Sequence, residues 1–150
     1  MQSASAKSGR WLYDVNVLIA LFDPYHTRHE QALEWHTANA HTGWASCPMT
    51  QNGLARIMSQ PKYGNPKSIH EMLGVVSQFQ DDSSHDFWSD DISIAAPEIL
   101  DRKVVVTSSM LTDLYLLALA VKHSGCLVTF DTRIPRNAII GARADHLLVL

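Results

Sequence analysis

The sequence predicts an α/β protein in which a mainly parallel sheet is covered by helices on both faces. Three observations support this fold class. Short apolar segments without polar alternation, such as WLY at 11–13 and CLVTF at 126–130, are typical of strands buried on both sides. Segments with apolar residues at helical spacing lie between them. At 150 residues and 46% hydrophobic composition, the chain is long enough for one domain with a substantial core.

The elements can be assigned in order along the chain. Apolar residues at helical spacing predict helices over residues 15–22, 27–39, 50–59, 68–80 and 108–124. Buried strands are predicted at 11–13, 43–46, 126–130 and 147–150, with a short edge strand within 87–94. The Pro- and Gly-containing segment 60–66 is predicted to be a loop. Residues 97–102 suggest one or two more helical turns, and 104–106 fit either a strand or a buried loop.

The first ten residues, MQSASAKSGR, predict a flexible tail before a domain spanning 11–150. They contain no apolar stretch of the kind found in secretory signals. No segment reaches the ~20 consecutive apolar residues that a membrane helix needs. We therefore expect a soluble, cytoplasmic protein with no membrane partner.

The net charge of −3 lacks the strong basic excess that usually marks nonspecific nucleic-acid binding. It does not exclude an enzyme that acts on nucleic acid, because an acidic metal site lowers the total charge while a local basic rim binds phosphate. Cys47 and Cys126 each lie in an apolar segment, as expected for buried thiols in a reducing compartment.

Three aspartates stand where apolar segments begin or end. Asp14 and Asp131 follow the predicted strands 11–13 and 126–130, and Asp113 lies in the first part of the longest helix. Functional groups of parallel sheets gather beyond the carboxyl ends of the strands, so the three carboxylates are expected to converge there. Such oxygen ligands suit Mg²⁺ or Mn²⁺. Asn16 and Thr129, short polar residues beside these aspartates, are candidates to support them by hydrogen bonds.

Two arginines are candidates for substrate binding, and two other kinds of acidic α/β site do not fit the sequence. Arg56 and Arg133 are candidate contacts for substrate phosphate, since guanidinium matches phosphate geometry; surface ion pairing is the alternative. A phosphoryl-accepting receiver needs an acidic pair after its first strand and a lysine after its last, and neither is present. A haloacid-dehalogenase-type phosphatase needs Asp-x-Asp, whereas Asn16 occupies the second position here.

Several segments, in order, resemble the PIN domain, and most closely its VapC-type toxin ribonucleases. They are WLYDVNVLIALF, YHTRHEQALEW, GWASCPMTQNGLARIMSQP and LTDLYLLALAVKHSGCLVTFDTR. The resemblance implies a PIN-like three-layer α/β/α fold. It also implies a Mg²⁺-dependent endoribonuclease, with Mn²⁺ as a possible substitute, that cleaves RNA as the toxin of a toxin–antitoxin pair. A cognate antitoxin and a homodimer are the implied partners.

The resemblance also assigns roles to particular residues. Asp14, Asp113 and Asp131 match the first, third and fourth acidic positions of the family, as metal ligands and catalytic groups. The second position is usually glutamate, and we place Gln51 there, as a supporting residue beside Asn16 and Thr129. An amide brings no negative charge. A PIN-like module that binds RNA or protein with weak or no catalysis therefore stays open as the alternative.

Overall fold

The computed structural model describes residues 10–150. The predicted tail, residues 1–10, lies outside this range except for Arg10. The described chain forms one sheet with helices on both faces, as the sequence predicts. Its strands are β1 Trp11–Tyr13, β2 Trp44–Ser46, β3 His85–Phe87, β4 Cys126–Thr129 and β5 Leu147–Val149. They lie in the order β3-β2-β1-β4-β5 and every pair is parallel.

Five α-helices cover the sheet: α1 Val15–Phe22, α2 His29–Asn39, α3 Pro48–Met58, α4 Ile69–Gln80 and α5 Leu111–Lys122. Helices α1 to α4 pack on one face, in a core that includes Tyr13 and Val128. Helix α5 packs on the other, with Leu12 and Leu127. Because successive strand residues point to opposite faces, each central strand supplies side chains to both cores. The result is the three-layer arrangement. No helix within residues 10–150 is long and apolar enough to cross a membrane.

Three local predictions are wrong. Strand β3 is His85–Phe87, outside most of the predicted 87–94 segment, because its pairing with β2 begins at His85. Residues 97–102 contain turns rather than a helix, and Leu100 instead forms an isolated antiparallel bridge with Ile139. Residues 104–106 form a loop, and Val105 is 90% exposed. This segment is therefore neither a strand nor a fully buried loop.

The helices begin where local chemistry favours them. Pro48 occupies the first turn of α3, where its missing N–H costs no hydrogen bond. Ser68 caps α4, and its hydroxyl accepts from the Glu71 N–H at 3.0 Å while the Glu71 carboxylate accepts from the Ser68 N–H. Helix α5 is buried around most of its circumference, as expected for a central helix.

Helices α1 and α3 approach each other very closely at Gly53. A Cβ added there would lie 2.8 Å from Val15 Cγ2, and Val15 is a β-branched residue with little rotamer freedom in a helix. Only glycine therefore fits without moving one helix. Since Asp14 immediately precedes Val15, this contact also sets how far α3 lies from the carboxylate at the start of α1.

We expect Gly53→Ala to destabilise the protein relative to Gly74→Ala. Gly74 is exposed within α4, and a Cβ there has no atom within 4 Å. Both changes gain helix propensity, so their difference isolates the overlap with Val15, about 1–3 kcal/mol. Denaturant unfolding of the two variants measures it. Equal stabilisation by both substitutions would show that α1 and α3 separate at no cost.

Candidate active site

Asp14 lies at the junction of β1 and α1, and its carboxylate is only 4% exposed. The Val15 N–H donates to Oδ1 at 2.7 Å, and the Thr129 hydroxyl donates to Oδ2 at 2.7 Å. Burial raises the pKa of Asp14; the two hydrogen bonds oppose this rise and the negative charge of Asp131 adds to it. The site therefore contains a buried acid whose ionised form is stabilised by only two donors.

Asp113 lies in the first turn of α5 and is partly buried. Burial first, and then the negative charges of Asp14 and Asp131, raise the pKa of Asp113 to about 6. The hydrogen bond between the Asp113 and Asp131 carboxyl groups contributes in the same direction. The structure therefore brings together the three aspartates that the sequence singles out.

Asp131 follows β4 and, unlike Asp14 and Asp113, forms an ion pair with Arg133. The side chain of Arg133 donates to both carboxylate oxygens, from Nε to Oδ1 at 3.1 Å and from Nη2 to Oδ2 at 3.3 Å. These bonds, with that of the Arg133 N–H, hold the pKa of Asp131 below its usual range. The Thr129 hydroxyl accepts from the Asp131 N–H at 3.0 Å, so one side chain links Asp14 to Asp131.

A cleft of about 560 Å³ opens on Asp14 and Asp113 between α1, α3 and α5. Its other polar lining residues are Asn16, Asn52, Arg56, Asp90 and Thr112. A smaller pocket of about 40 Å³ on the other side of Asp113 is lined by Ser109, Asp131 and Arg133. Asp113 thus stands between two openings, each of which contains one of the predicted arginines.

The structure does not place Gln51 in this cleft. Its amide donates instead to the Ser46 hydroxyl at 3.0 Å and to Gln80 Oε1 at 3.2 Å. The reason is helical phase, because each residue turns the helix by about 100° and the residues that face the cleft are Met49, Asn52 and Arg56. Asn52, one residue further on, is the amide of α3 that lines the cleft together with Asp14 and Asp113. Among the described residues, Gln51 therefore forms no hydrogen bond to the three aspartates that it was predicted to support.

Sequence reasoning missed three residues of the cleft, Asn52, Asp90 and Thr112. Arg56 could have indicated Asn52, since residues four apart share a helix face. Thr112 precedes Asp113. Asp90 lies three residues after the end of β3, at the same edge of the sheet as Asp14, but the predicted strand 87–94 included Asp90 and so concealed its place after a strand.

The donor set fits a hard divalent cation that keeps part of its water shell. The negative charge of Asp131 raises the pKa of both Asp14 and Asp113, so a positive charge among the three carboxylates is favoured, and their oxygens suit Mg²⁺ better than a soft metal. Across residues 10–150, no three His, Cys, Asp or Glu side chains are already arranged as a metal cage. An ion held by few protein ligands and several waters agrees with both observations.

Comparison with known proteins agrees with this geometry. Residues 12–140 match the model of the PIN domain. The chain is 44% identical over 141 residues to Ribonuclease VapC44 of Mycobacterium tuberculosis, covering 94% of this chain and 99% of that protein. It is 35% identical to Ribonuclease VapC39 of the same organism, covering 87% and 94%.

A solved structure supports the fold independently of sequence. The chain superimposes with a TM-score of 0.50 on a chain from the crystal structure of VapBC2 from Rickettsia felis bound to a DNA fragment from their promoter. The match covers 83% of this chain and 92% of the other at 12% identity, so it shows a shared fold alone. Together with the relatives in sequence, these findings show that the chain belongs to the PIN-domain family and, within it, to the VapC-type ribonucleases.

Proposed function

We propose that the protein is a metal-dependent endoribonuclease, the toxin of a toxin–antitoxin pair, that hydrolyses RNA phosphodiesters. The observation that carries this proposal is the cluster of Asp14, Asp113 and Asp131 beside a cleft that contains Arg56. The 44% identity to a protein named Ribonuclease VapC44 supports RNA as the substrate. Mg²⁺ or Mn²⁺ is the proposed cofactor.

Asp14, Asp113 and Asp131 would hold the ion. When bound, a divalent cation lowers the pKa of a coordinated water and neutralises charge on the leaving oxygen. The Thr129 hydroxyl donates a hydrogen bond to Asp14 Oδ2, which favours the ionised form of Asp14 and fixes its orientation. Asp113, with a pKa near 6, is ionised at neutral pH and can accept a hydrogen bond from the attacking water.

The arginines and the polar cleft residues act on the RNA. Arg56 and Arg133 are exposed and lie in different openings beside Asp113, where each can bind a backbone phosphate. Asn16 is exposed in the same cleft as Arg56 and is suited to hydrogen-bond substrate or metal-bound water. RNA would therefore cross the site from α3 toward the segment after β4.

A second candidate function rests on the face that α3 turns toward the cleft. Asn52, and not an acid, stands there beside Asp14 and Asp113. A site with fewer ionised ligands binds a cation less tightly, which favours a module that binds RNA or protein with weak or no catalysis.

We also propose a cytoplasmic location, a cognate antitoxin and a homodimer. The support for the two protein partners is that Leu33 of α2 and Ile69 and Leu73 of α4 are exposed apolar side chains on the outer helices, and that the similar solved structure is named VapBC2. Exposed apolar surface of this kind is typical of protein contacts. Light scattering of the purified chain, alone and with its antitoxin, tests these partners.

Cleavage of an RNA panel by antitoxin-free protein tests the enzymatic proposal. We expect cleavage with Mg²⁺ or Mn²⁺ and a fall of roughly 10²-fold or more with EDTA, since the ion supplies several kcal/mol of transition-state stabilisation. Restoring the ion after chelation is the control for damage to the protein. RNA binding without cleavage under every metal condition would contradict the enzyme and support the binding module.

A further inference from the structure

Asp90 is a cleft carboxylate that the metal-binding proposal does not use. It lies in the segment after β3, is exposed, and lines the same cleft as Asp14 and Asp113. Its Oδ2 accepts the Met49 N–H at 3.0 Å. This N–H belongs to the first turn of α3, where backbone donors have no partner within the helix.

Asp90 also faces α5. The hydroxyl of Tyr115 is buried and has no hydrogen-bond partner with good geometry among the described residues. Asp90 lines the cleft together with Thr112 and Asp113 of the same helix. Burial raises the pKa of the Tyr115 phenol, and the negative charge of Asp90 raises it further. Asp90 therefore lies between the first turn of α3 and the residue two positions after Asp113.

The two helices beside Asp90, α3 and α5, carry the two sides of the proposed site. Helix α3 presents Asn52 and Arg56, and α5 presents Asp113. Within α3, the Thr50 hydroxyl accepts from the Cys47 N–H at 3.0 Å and donates to the Cys47 carbonyl oxygen at 3.1 Å, which ties the first turn together. Because Met49 and Arg56 belong to the same helix, a shift of this turn would also move Arg56.

We propose that Asp90 is a positioning residue that braces α3 against α5 and so sets the place of Arg56 relative to the carboxylates. The inference rests on the proposed ribonuclease function and deepens it by assigning a residue to RNA positioning. It acts through the oxygen that accepts the Met49 N–H, and not through its negative charge. Asp90→Ala and Asp90→Asn separate these two properties, since only the second variant keeps an acceptor.

The first experiment compares RNA binding by fluorescence anisotropy in an Asp14→Asn background that does not cleave. We expect Asp90→Ala to weaken binding about five-fold, the equivalent of one hydrogen bond of about 1 kcal/mol. Asp90→Asn should restore most of the affinity. Asp91→Asn is the matched control, because Asp91 is the next residue along the chain and its carboxylate pairs with Lys122 at 2.6 Å on the surface. Tighter binding by both Asp90 variants would show charge repulsion alone and overturn the proposal.

The second experiment is a double-mutant cycle with Arg56→Ala. If Asp90 acts through α3, its replacement by alanine should cost less than two-fold in RNA affinity once Arg56 is absent. Additive losses would overturn the proposal. In cleavage assays of otherwise wild-type protein, Asp90→Ala should raise KM about five-fold with little change in kcat. A lower kcat with weaker Mn²⁺ binding would instead make Asp90 a metal ligand.

These outcomes remain distinct from a failure of the proposed function. If wild-type protein binds RNA but does not cleave it, the ribonuclease proposal fails, while the binding comparison still reports on Asp90. Thermal unfolding of each variant completes the set. Normal binding by an Asp90→Ala protein of unchanged Tm would show that no brace exists.

Discussion

Asp14→Asn should remove RNA cleavage while leaving the fold at least as stable as before. The substitution keeps the shape of the side chain and an oxygen that can accept the Val15 N–H, but it removes the buried charge. Loss of one fixed charge from a transition-state site costs roughly 10²–10³-fold in kcat. Because burial raises the pKa of Asp14, its ionised form is less favourable in the folded chain than in the unfolded one. The amide avoids this cost.

Asp23→Asn is the matched control for this prediction. Asp23 ends α1 as Asp14 begins it, and the two are similarly buried, at 6% and 4% exposure. Asp23 accepts hydrogen bonds from the Tyr25 N–H and from the Tyr63 hydroxyl, away from the cleft. We expect this variant to lose thermal stability and to keep its kcat. Asp14→Asn should therefore lose cleavage and keep its Tm, whereas Asp23→Asn should keep its kcat and lose Tm. An Asp14→Asn protein with more than about a tenth of wild-type activity would contradict the assignment.

Asp113→Asn should raise the stability of the metal-free protein at neutral pH and lower its activity. The pKa of Asp113 is about 6 in the folded chain, against an ordinary value of 3.8. A raised pKa means that the folded chain binds this proton more tightly than the unfolded chain does. Stability from this group is therefore complete below pH 3.8 and is lost as the pH rises through 6. Asparagine does not titrate and avoids the loss.

The expected gain is about 1 kcal/mol after allowance for solvent screening of this half-exposed group, or roughly 2–4 °C in Tm. It should be largest above pH 6 and disappear near pH 4. Melting curves in EDTA across pH 4–8 measure it. Adding Mn²⁺ should then stabilise the wild type more than the variant, because binding to the folded state raises Tm. A Tm difference that is constant over the whole pH range would show that Asp113 is not under the influence of its acidic neighbours.

The parts of the site that follow from local rules could be predicted from the sequence. Asp14 and Asp131 come after short apolar strands, and parallel strands end at the same edge of a sheet. Their convergence needs nothing more than the correct strand direction. The predicted family was confirmed by the match of residues 12–140 to the PIN-domain model. The segments that carry the resemblance include these strand ends.

The remaining parts depend on tertiary contacts that spacing does not reveal. The side of α3 that faces the cleft is determined by the close approach of Gly53 to Val15, so Asn52 faces the carboxylates and Gln51 does not. Asp90 could be recognised only once the end of β3 was known. That end depends on pairing with β2, in which His85 is aligned with Trp44, 41 positions earlier.

The hydrogen bond from Thr129 to Asp14 joins residues 115 positions apart. The contact of Asp14 with Thr129, and the meeting of Asp14 with Asp113 and Asp131, therefore require residues from the last third of the chain. A fragment that ends before Asp113 contains one of the three carboxylates and lacks β4, the strand that pairs with β1. We therefore expect amino-terminal fragments that end before Asp113, whether from incomplete translation or from proteolysis, not to cleave RNA. For an enzyme that destroys RNA, the order of the sequence itself delays activity until synthesis is nearly finished.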